Sequence, residues 1–212
     1  MAEELNNQMK ALGHEVTLLH FQWAYFIQLF GNAVHVATFN ETAGGAFHAI
    51  ENAMLHDLLM TIMRLCDPPI SAGKKTLSFR GVACTTVPEV KQQIEEIEWL
   101  IREKTEAVRI WRNQKLAHND LQRHLSGEPL PEIQVNNLKD ALRLIAKAMN
   151  VLNGHFHNLD VRYESSYIDP GDGNALWFYL QYGLECYRED RAKVDFTRSK
   201  KIRDMGSQNE ST

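Results

Sequence analysis

The amino-acid sequence predicts an all-α protein, an antiparallel four-helix bundle with an additional C-terminal helix. Apolar residues recur every three or four positions over most of the chain, and clusters of Pro, Gly and Asn separate these stretches. No stretch shows the alternating pattern typical of a β-strand. The chain has 212 residues, of which 44% are hydrophobic, so one domain with a sizeable core is expected.

Two amphipathic stretches at the start of the chain predict the first two helices. The first ends at Gly31-Asn32, because these residues commonly terminate helices. The second follows a turn predicted at residues 40–45 and ends at Asp67-Pro68-Pro69, because proline cannot continue a helix. The apolar stripes consist of Leu12, Val16, Leu19, Trp23, Phe26 and Phe30, and of Phe47, Ile50, Met54, Leu58, Ile62 and Leu65.

A connector over residues 67–87 precedes the third helix. Its sequence predicts a short extended piece at residues 76–79. Thr86-Val87-Pro88-Glu89 resembles a capping box, in which two side chains bind the free N–H groups of a helix start. A break at Gly127 to Pro131 separates the third helix from the fourth. The two stripes consist of Val90, Ile94, Ile97, Ile101, Val108 and Trp111, and of Leu138, Leu142, Ile145, Met149, Leu152, Phe156 and Leu159.

A last break at residues 169–173 precedes a fifth helix that carries Trp177, Leu180 and Leu184. The sequence therefore predicts one domain over residues 1–196. Its core helices lie within about residues 6–160, and the appended C-terminal helix within about 172–196. Residues 197–212 are polar and predict a disordered tail.

Composition predicts a cytoplasmic protein. The 3 cysteines are widely spaced and form no CxxC pair, which fits a reducing compartment. The chain starts without the basic segment of a signal peptide, and its most apolar stretch is too short and too polar to span a membrane. The net charge of -4 excludes nucleic-acid binding by the charge of the whole molecule, so RNA would need a local basic patch.

The segment from Arg112 to His118, at the end of the third helix pattern, carries the predicted chemistry. Arginine supplies fixed positive charge for a phosphate, and histidine transfers protons near neutral pH. At about 100° per residue, Lys115 falls in line with Val108 and His118 with Trp111. This polar group therefore continues the apolar stripe. The structural alternative is that cations near a helix C-terminus only stabilise the helix, by roughly 0.3 to 1 kcal/mol.

Arg112-Asn113-x-Lys115-x-Ala117-His118-x-Asp120 resembles the signature of the HEPN family (higher eukaryotes and prokaryotes nucleotide-binding domain), and is most similar to its abortive-infection, AbiU-type branch. The resemblance covers roughly residues 5 to 190. An aromatic-rich first helix, Arg64-Leu65-Cys66-Asp67 at the end of the second, and Gly171-Asp172-Gly173 before a late helix are similar in character. The developed C-terminal helix, with the basic run 198–201, departs from the minimal family fold.

The resemblance implies a metal-independent ribonuclease that needs no cofactor and acts as a homodimer with the motif at the interface. Arg112 and His118 would be the catalytic pair and Asn113 a polar helper, with Arg109 and Lys115 as RNA-binding residues. The family also implies a toxin or phage-defence role and a nucleotidyltransferase-type antitoxin as a possible partner.

Two other function classes stay open. One is a non-catalytic helical module that uses Arg112 and Lys115 to bind nucleotide or a protein partner. The other is a metal-dependent bundle enzyme, since several histidines lie on the first two helices. No Glu-x-x-His motif of the kind found in di-metal bundles occurs in the chain, which disfavours the metal enzyme.

Overall fold

The computed structural model describes residues 2–116, 125, 129–163, 171–193 and 197–208. The predicted all-α class is confirmed, because helices dominate the described residues and the strands form a single short hairpin. The helices are α1 (Ala2–Phe30), α2 (Ala33–Leu65), α3 (Phe79–Ala83), α4 (Pro88–Lys104), α5 (Glu106–Trp111), α6 (Val135–His157), α7 (Gly173–Ala192) and α8 (Thr197–Gln208). The antiparallel strands are β1 (Ile70–Ser71) and β2 (Lys74–Lys75).

Contacts divide the chain into two compact units, where the sequence predicted one domain. The first unit contains Met1–Ala24 and Asn52–Tyr167, and the second contains Tyr25–Glu51 and Ile168–Thr212. Helices α1 and α2 therefore each contribute residues to both units. None of the described helices combines the length and the apolar character that a membrane crossing requires.

Four long helices supply most of the core of the first unit, in agreement with the predicted bundle. α4 packs against α6, and α3 contacts both of them. Burying each large aliphatic side chain contributes roughly 1.5 to 3 kcal/mol, so the predicted stripes hold this unit together. Its buried residues include Leu12, Val16 and Leu19 of α1, Leu58 and Ile62 of α2, Ile94, Ile97 and Ile101 of α4, and Leu138, Leu142, Ile145, Met149 and Leu152 of α6.

The second unit joins α7 to the first half of α2 through aromatic and polar contacts. The His35 ring stacks on Trp177 with centroids 4.6 Å apart. The Trp177 indole N–H donates to the Thr38 hydroxyl at 3.1 Å, and that hydroxyl lies 2.9 Å from the Gln181 side-chain oxygen. These bonds satisfy polar atoms that burial would otherwise leave without water.

A side chain within the predicted break at residues 169–173 caps the start of α7. The Asp172 carboxylate accepts the backbone N–H groups of Asn174 and Ala175, both at 3.0 Å. Gly173 donates its backbone N–H to the Gln28 side chain at 3.0 Å. A Cβ atom at Gly173 would lie only 3.0 Å from the Gln28 side chain, so a larger residue here would have to displace Gln28 by a few tenths of an ångström.

The turn predicted at residues 40–45 is wrong, because α2 continues through it with a kink. Ala43 alone leaves helical geometry inside α2, at φ −154° and ψ 55°. The Thr42 hydroxyl donates to the Thr38 carbonyl at 2.9 Å. The Phe39 and Phe47 rings stack at 4.1 Å across the kink, and this contact favours continued helix on both sides.

The predicted capping box is also wrong. Val87 is the N-cap of α4 and provides no side-chain bond, while the Thr86 hydroxyl donates to the Ala83 carbonyl at 2.6 Å. The extended piece predicted at 76–79 lies earlier, as the hairpin of β1 and β2. Ser78 instead caps α3 by accepting the Gly81 backbone N–H at 3.2 Å.

Two further differences concern helix ends. α6 ends at His157, since Asn158 adopts a left-handed conformation (φ 51°), and Leu159 is 56% exposed although its spacing matched the stripe. α8 lies in the segment that the sequence predicted as a disordered tail. Its Arg198 approaches Asp190 of α7 at 3.7 Å, and its arginine and lysine residues favour helix.

Candidate functional site

The motif begins where a regular helix changes its winding. Thr105 leaves helical geometry between α4 and α5, and residues Arg112–Leu116 form a π-helical turn. A π-turn has one more residue per hydrogen-bonded turn than an α-helix, and such turns recur at functional sites. The extra residue rotates the positions that follow, so Lys115 is exposed and does not continue the line of the buried Val108.

Asp67 holds the guanidinium group of Arg112. Nη1 of Arg112 donates to Oδ1 of Asp67 at 2.9 Å, and Nη2 donates to Oδ2 at 3.4 Å. The arginine side chain is 30% exposed and the aspartate side chain 18%, so water screens the pair only in part. Paired hydrogen bonds from a planar guanidinium fix its orientation as well as its position.

The end of α2 positions Asp67. The backbone N–H of Asp67 donates to the Arg64 carbonyl at 3.1 Å, and that of Cys66 donates to the Met63 carbonyl at 3.2 Å. These bonds use carbonyl groups that the last turn of a helix leaves free. Pro68 follows and prevents further helix, so the aspartate lies just beyond the helix end.

Asp67 uses only part of the Arg112 guanidinium. The two bonds involve the terminal nitrogens, while a guanidinium also carries the Nε hydrogen and a second hydrogen on each terminal nitrogen. No described residue bonds the Nε edge, so with respect to that part of the chain an anion can bind there while Asp67 stays in place. Asp67 therefore fixes the orientation of the arginine and leaves part of its hydrogen-bonding capacity unused.

The other motif residues differ in how firmly the structure holds them. Asn113 is exposed. Lys115 is also exposed, and its Nζ lies 4.9 Å from the centroid of the Trp111 ring, within the range of a cation–π contact. The Trp111 indole N–H donates to the Pro131 carbonyl at 2.8 Å, which fixes the ring beneath the lysine.

Arg109 does not join the pair of Arg112 and Asp67. Its guanidinium lies 3.7 Å from Glu106, one turn earlier on α5, and both side chains are largely exposed. His118, the predicted proton-transfer residue, lies outside the described residues. Of the predicted residues, Arg112 therefore has the most defined environment.

A groove lies beside Asp67 at the end of α2. Its volume is about 400 Å³, and Asp67 forms part of its wall. Its other lining residues are Glu15 of α1, Thr61, Arg64 and Leu65 of α2, and Thr76 and Leu77, which follow β2. The groove combines cationic, anionic, hydroxyl and apolar groups, so it can bind a ligand with both polar and apolar parts.

A buried carboxyl group lies near the Cys66 side chain. Glu98 of α4 is fully buried 2.7 Å from Arg80, but among the described residues neither of its oxygens has a partner with hydrogen-bond geometry. Burial therefore outweighs the attraction of Arg80 and Arg102 and raises the pKa of Glu98. Burial, and then repulsion from Glu98, raises the pKa of Cys66 to about 12, so this thiol is not a nucleophile at neutral pH.

The histidines considered for a metal site do not cluster. Within the part of the chain that the structure describes, no group of three or more His, Cys, Asp or Glu side chains could hold a metal ion. His35 instead lies 2.6 Å from the Gln28 carbonyl and stacks on Trp177.

Sequence reasoning assigned no role to Asp67 or Arg64. The available signal was their position in Arg64-Leu65-Cys66-Asp67, a segment noted for its similarity to the family. The pairing of Asp67 with Arg112 joins residues 45 positions apart, and a single sequence gives no sign of so distant a contact.

Comparison with known proteins identifies the family. The sequence family HEPN_AbiU2, described as AbiU2, matches residues 2–170, which include the motif and the end of α2. No curated protein and no solved structure matches the chain significantly. Because the family match covers most of the chain, the protein belongs to the HEPN family, in its AbiU2 branch.

Proposed function

We propose that this protein is a metal-independent endoribonuclease. The observation that carries the proposal is the Arg112 guanidinium, which Asp67 orients through two hydrogen bonds while no other described residue bonds its Nε edge. Membership of the HEPN family supports the same function, and His118 follows Arg112 at the spacing of the family signature.

The proposed reaction uses the nucleophile that RNA itself carries. A ribose 2′-oxygen attacks the adjacent phosphorus and gives its proton to an imidazole, and the bond to the 5′-oxygen breaks as that oxygen takes up a proton. Each positioned proton-transfer group is typically worth about a hundredfold to ten-thousandfold in rate. Arg112 stabilises the charge that develops on the phosphate oxygens. The products are a 2′,3′-cyclic phosphate and a 5′-hydroxyl.

The proton transfers give a physical reason for a homodimer. One imidazole cannot accept one proton and donate another in a single concerted step, whereas two copies of the chain supply two copies of His118. We infer that the motifs face each other across the dimer interface. Lys115 and Arg109 are exposed, so both can approach the backbone of a bound RNA strand.

Family membership also supports a cellular role. We infer that the nuclease acts as a toxin in abortive infection, in which cleavage of cellular RNA stops phage growth. A toxin of this kind requires control, and a nucleotidyltransferase-type antitoxin is the partner that the family leads us to propose. The localisation that this role requires is cytoplasmic.

A cleavage assay on purified full-length protein tests the proposed activity. His118→Ala should lower the cleavage rate by at least about a hundredfold while the circular dichroism spectrum stays unchanged. Added EDTA should have no effect on the wild-type rate. Folded His118→Ala protein that cleaves as fast as wild type would falsify the assignment, and a rate that EDTA abolishes and manganese restores would identify a metal enzyme.

The alternative function is a non-catalytic module that binds nucleotide or a protein partner. The observation that favours it is that Asp67 already pairs with Arg112, which would also suit a purely structural arginine. The same assay separates the two functions. A binding module releases no cyclic phosphate, and His118→Ala then changes only the affinity for RNA.

A further inference from the structure

We propose that the groove at the end of α2 is a nucleotide subsite, which binds the RNA residue next to the cleaved phosphate. In this subsite Arg64 contacts the phosphate backbone, and Glu15 and Leu77 face the base and ribose. The substrate class rests on the proposed nuclease function, but the binding of RNA in the groove is testable without cleavage.

The size and lining of the groove suit one nucleotide. Its volume of about 400 Å³ lies in the lower part of the range for small-ligand sites, roughly 300 to 1,000 Å³. Leu77 is 39% exposed and gives an apolar surface for a base or ribose to cover. The carboxylate of Glu15 can accept a hydrogen bond from an exocyclic amino group of a base.

Arg64 lines the groove and keeps donors for a ligand. Its Nη2 donates to the Thr61 hydroxyl at 2.7 Å, and Asp57, the one carboxylate among the described residues that pairs with it, is 3.9 Å away. Asp57 in turn accepts a hydrogen bond from the Gln22 side chain at 2.6 Å. The Arg64 side chain is 53% exposed, so an incoming phosphate can reach a guanidinium that forms no ion pair shorter than 3.9 Å with the described residues.

The groove is connected to Arg112 through a shared residue. Asp67 lines the groove and also binds Arg112, and it lies three residues after Arg64 at the end of the same helix. In the proposed complex the scissile phosphate binds Arg112, and its neighbouring nucleotide lies in the groove beside Arg64. The charges of Glu15 and Asp67 repel phosphate from the rest of the groove, which directs the backbone to Arg64 and the base inward.

Binding of an RNA that cannot be cleaved tests the subsite. The probe is a single-stranded, fluorescently labelled oligonucleotide of about ten nucleotides with 2′-O-methyl riboses, and the measurement is anisotropy over a series of salt concentrations. Arg64→Gln should raise the Kd about fivefold to tenfold and reduce the salt slope by about one. Arg143→Gln, which removes an exposed arginine that is not among the described residues lining the groove, should leave the Kd within about twofold.

A second variant blocks the groove without changing charge. Leu77→Trp places a larger ring on an exposed position of the lining, so it should weaken binding by at least about fivefold while the melting temperature stays close to wild type. Unchanged affinity in both Arg64→Gln and Leu77→Trp would overturn the subsite, and would leave the groove to a protein partner.

The outcomes keep the subsite distinct from the nuclease activity. If wild-type protein cleaves natural RNA and both Arg64→Gln and Leu77→Trp bind the probe as tightly as wild type, the subsite is contradicted and the nuclease function is supported. If wild-type protein binds the probe through Arg64 but does not cleave natural RNA, the subsite is supported and the nuclease function is contradicted. Absence of both binding and cleavage in wild type overturns both proposals.

Discussion

An arginine side chain on a helix surface samples many rotamers, and fixing it costs up to roughly 2 kcal/mol of conformational entropy. Asp67 removes most of this freedom from Arg112 before any ligand is present, because it accepts two hydrogen bonds from one guanidinium. A phosphate that binds afterwards does not have to order the arginine. The aspartate therefore acts as a positioning residue in the proposed nuclease.

Asp67→Asn should lower the cleavage rate about tenfold with little change in KM, because the amide can accept only one of the two hydrogen bonds and carries no charge. Single-turnover cleavage and thermal unfolding should be measured together. Asp140→Asn is the matched control, since Asp140 forms an exposed ion pair with Arg143 one turn away on α6. Wild-type cleavage by Asp67→Asn would contradict the positioning role.

The buried Glu98 should make stability depend on pH. Burial raises its folded pKa above the ordinary value of 4.5, so the folded protein binds more protons than the unfolded chain between the two pKa values. The contribution of protonated Glu98 to the free energy of unfolding is therefore fully present below the unfolded pKa. It is lost as the pH rises through the folded pKa, because the carboxyl group then has to lose its proton while buried. Glutamine cannot ionise, so the free energy of unfolding of Glu98→Gln minus that of wild type should increase as the pH rises across this interval.

Urea unfolding of wild type and Glu98→Gln at a series of pH values from about 4 to 8 measures this difference. Glu95→Gln, at an exposed position of the same helix, is the control for the loss of a negative charge. A constant difference between wild type and Glu98→Gln at every pH would show that Glu98 has the same proton affinity folded and unfolded.

At the scale of single residues, the sequence singles out candidate groups by residue type and spacing but does not reveal their partners or their burial. Arg112 stands out because of its residue type and its place before His118, which local spacing reveals. Its partner Asp67 and the burial of Glu98 depend on contacts between distant helices. Glu98 lies four residues after Ile94 and three before Ile101, so periodicity places it on the apolar face, but glutamate is rarely buried and its residue type argues against that place.

At the scale of elements, apolar periodicity predicted the long helices. Local residue chemistry predicted some of the helix ends correctly and others wrongly. The proline stop after α2 and the Asp172 cap of α7 follow from short-range rules. The predicted turn at 40–45 is wrong because two glycines tolerate helix when the Phe39 and Phe47 rings stack across them. The π-turn at 112–116 has no residue signature that separates it from α-helix.

The hairpin of β1 and β2 carries a strain that substitution can relieve. Its two central residues, Ala72 and Gly73, have φ of 48° and 75°, the pattern of a type I′ turn. Left-handed geometry costs alanine about 1 kcal/mol, and asparagine tolerates it better. Ala72→Asn should therefore stabilise the protein by about 0.5 to 1 kcal/mol in urea unfolding.

Gly73→Ala is the opposite test of the same turn. A Cβ atom at Gly73 meets open space, so the expected loss of about 1 kcal/mol comes from backbone geometry alone. Equal stability of Ala72→Asn, Gly73→Ala and wild type would be inconsistent with this turn type. Thr76 and Leu77 of the groove follow β2 directly, so both variants should also be compared in RNA binding.

At the scale of the whole molecule, composition and periodicity predict an all-α fold, and the family match extends over most of the chain. The division into two compact units did not follow from the sequence. Helices α1 and α2 each continue from one unit into the other, and neither contains a linker-like segment at the boundary. The kink at Ala43 lies inside the second unit. A boundary that crosses continuous helices leaves no compositional signal.

The proposed dimer makes a quantitative prediction about mixed oligomers. If both proton transfers in each site need a His118 from each copy, a dimer with one His118→Ala chain is inactive. Co-expressing equal amounts of wild type and His118→Ala should then leave about a quarter of the wild-type activity per total protein, because only that fraction of random dimers has two histidines. Independent protomers would retain about half. Cleavage assays on the co-purified mixture, with light scattering to confirm the dimer, distinguish these values, and a retained half would contradict a shared site.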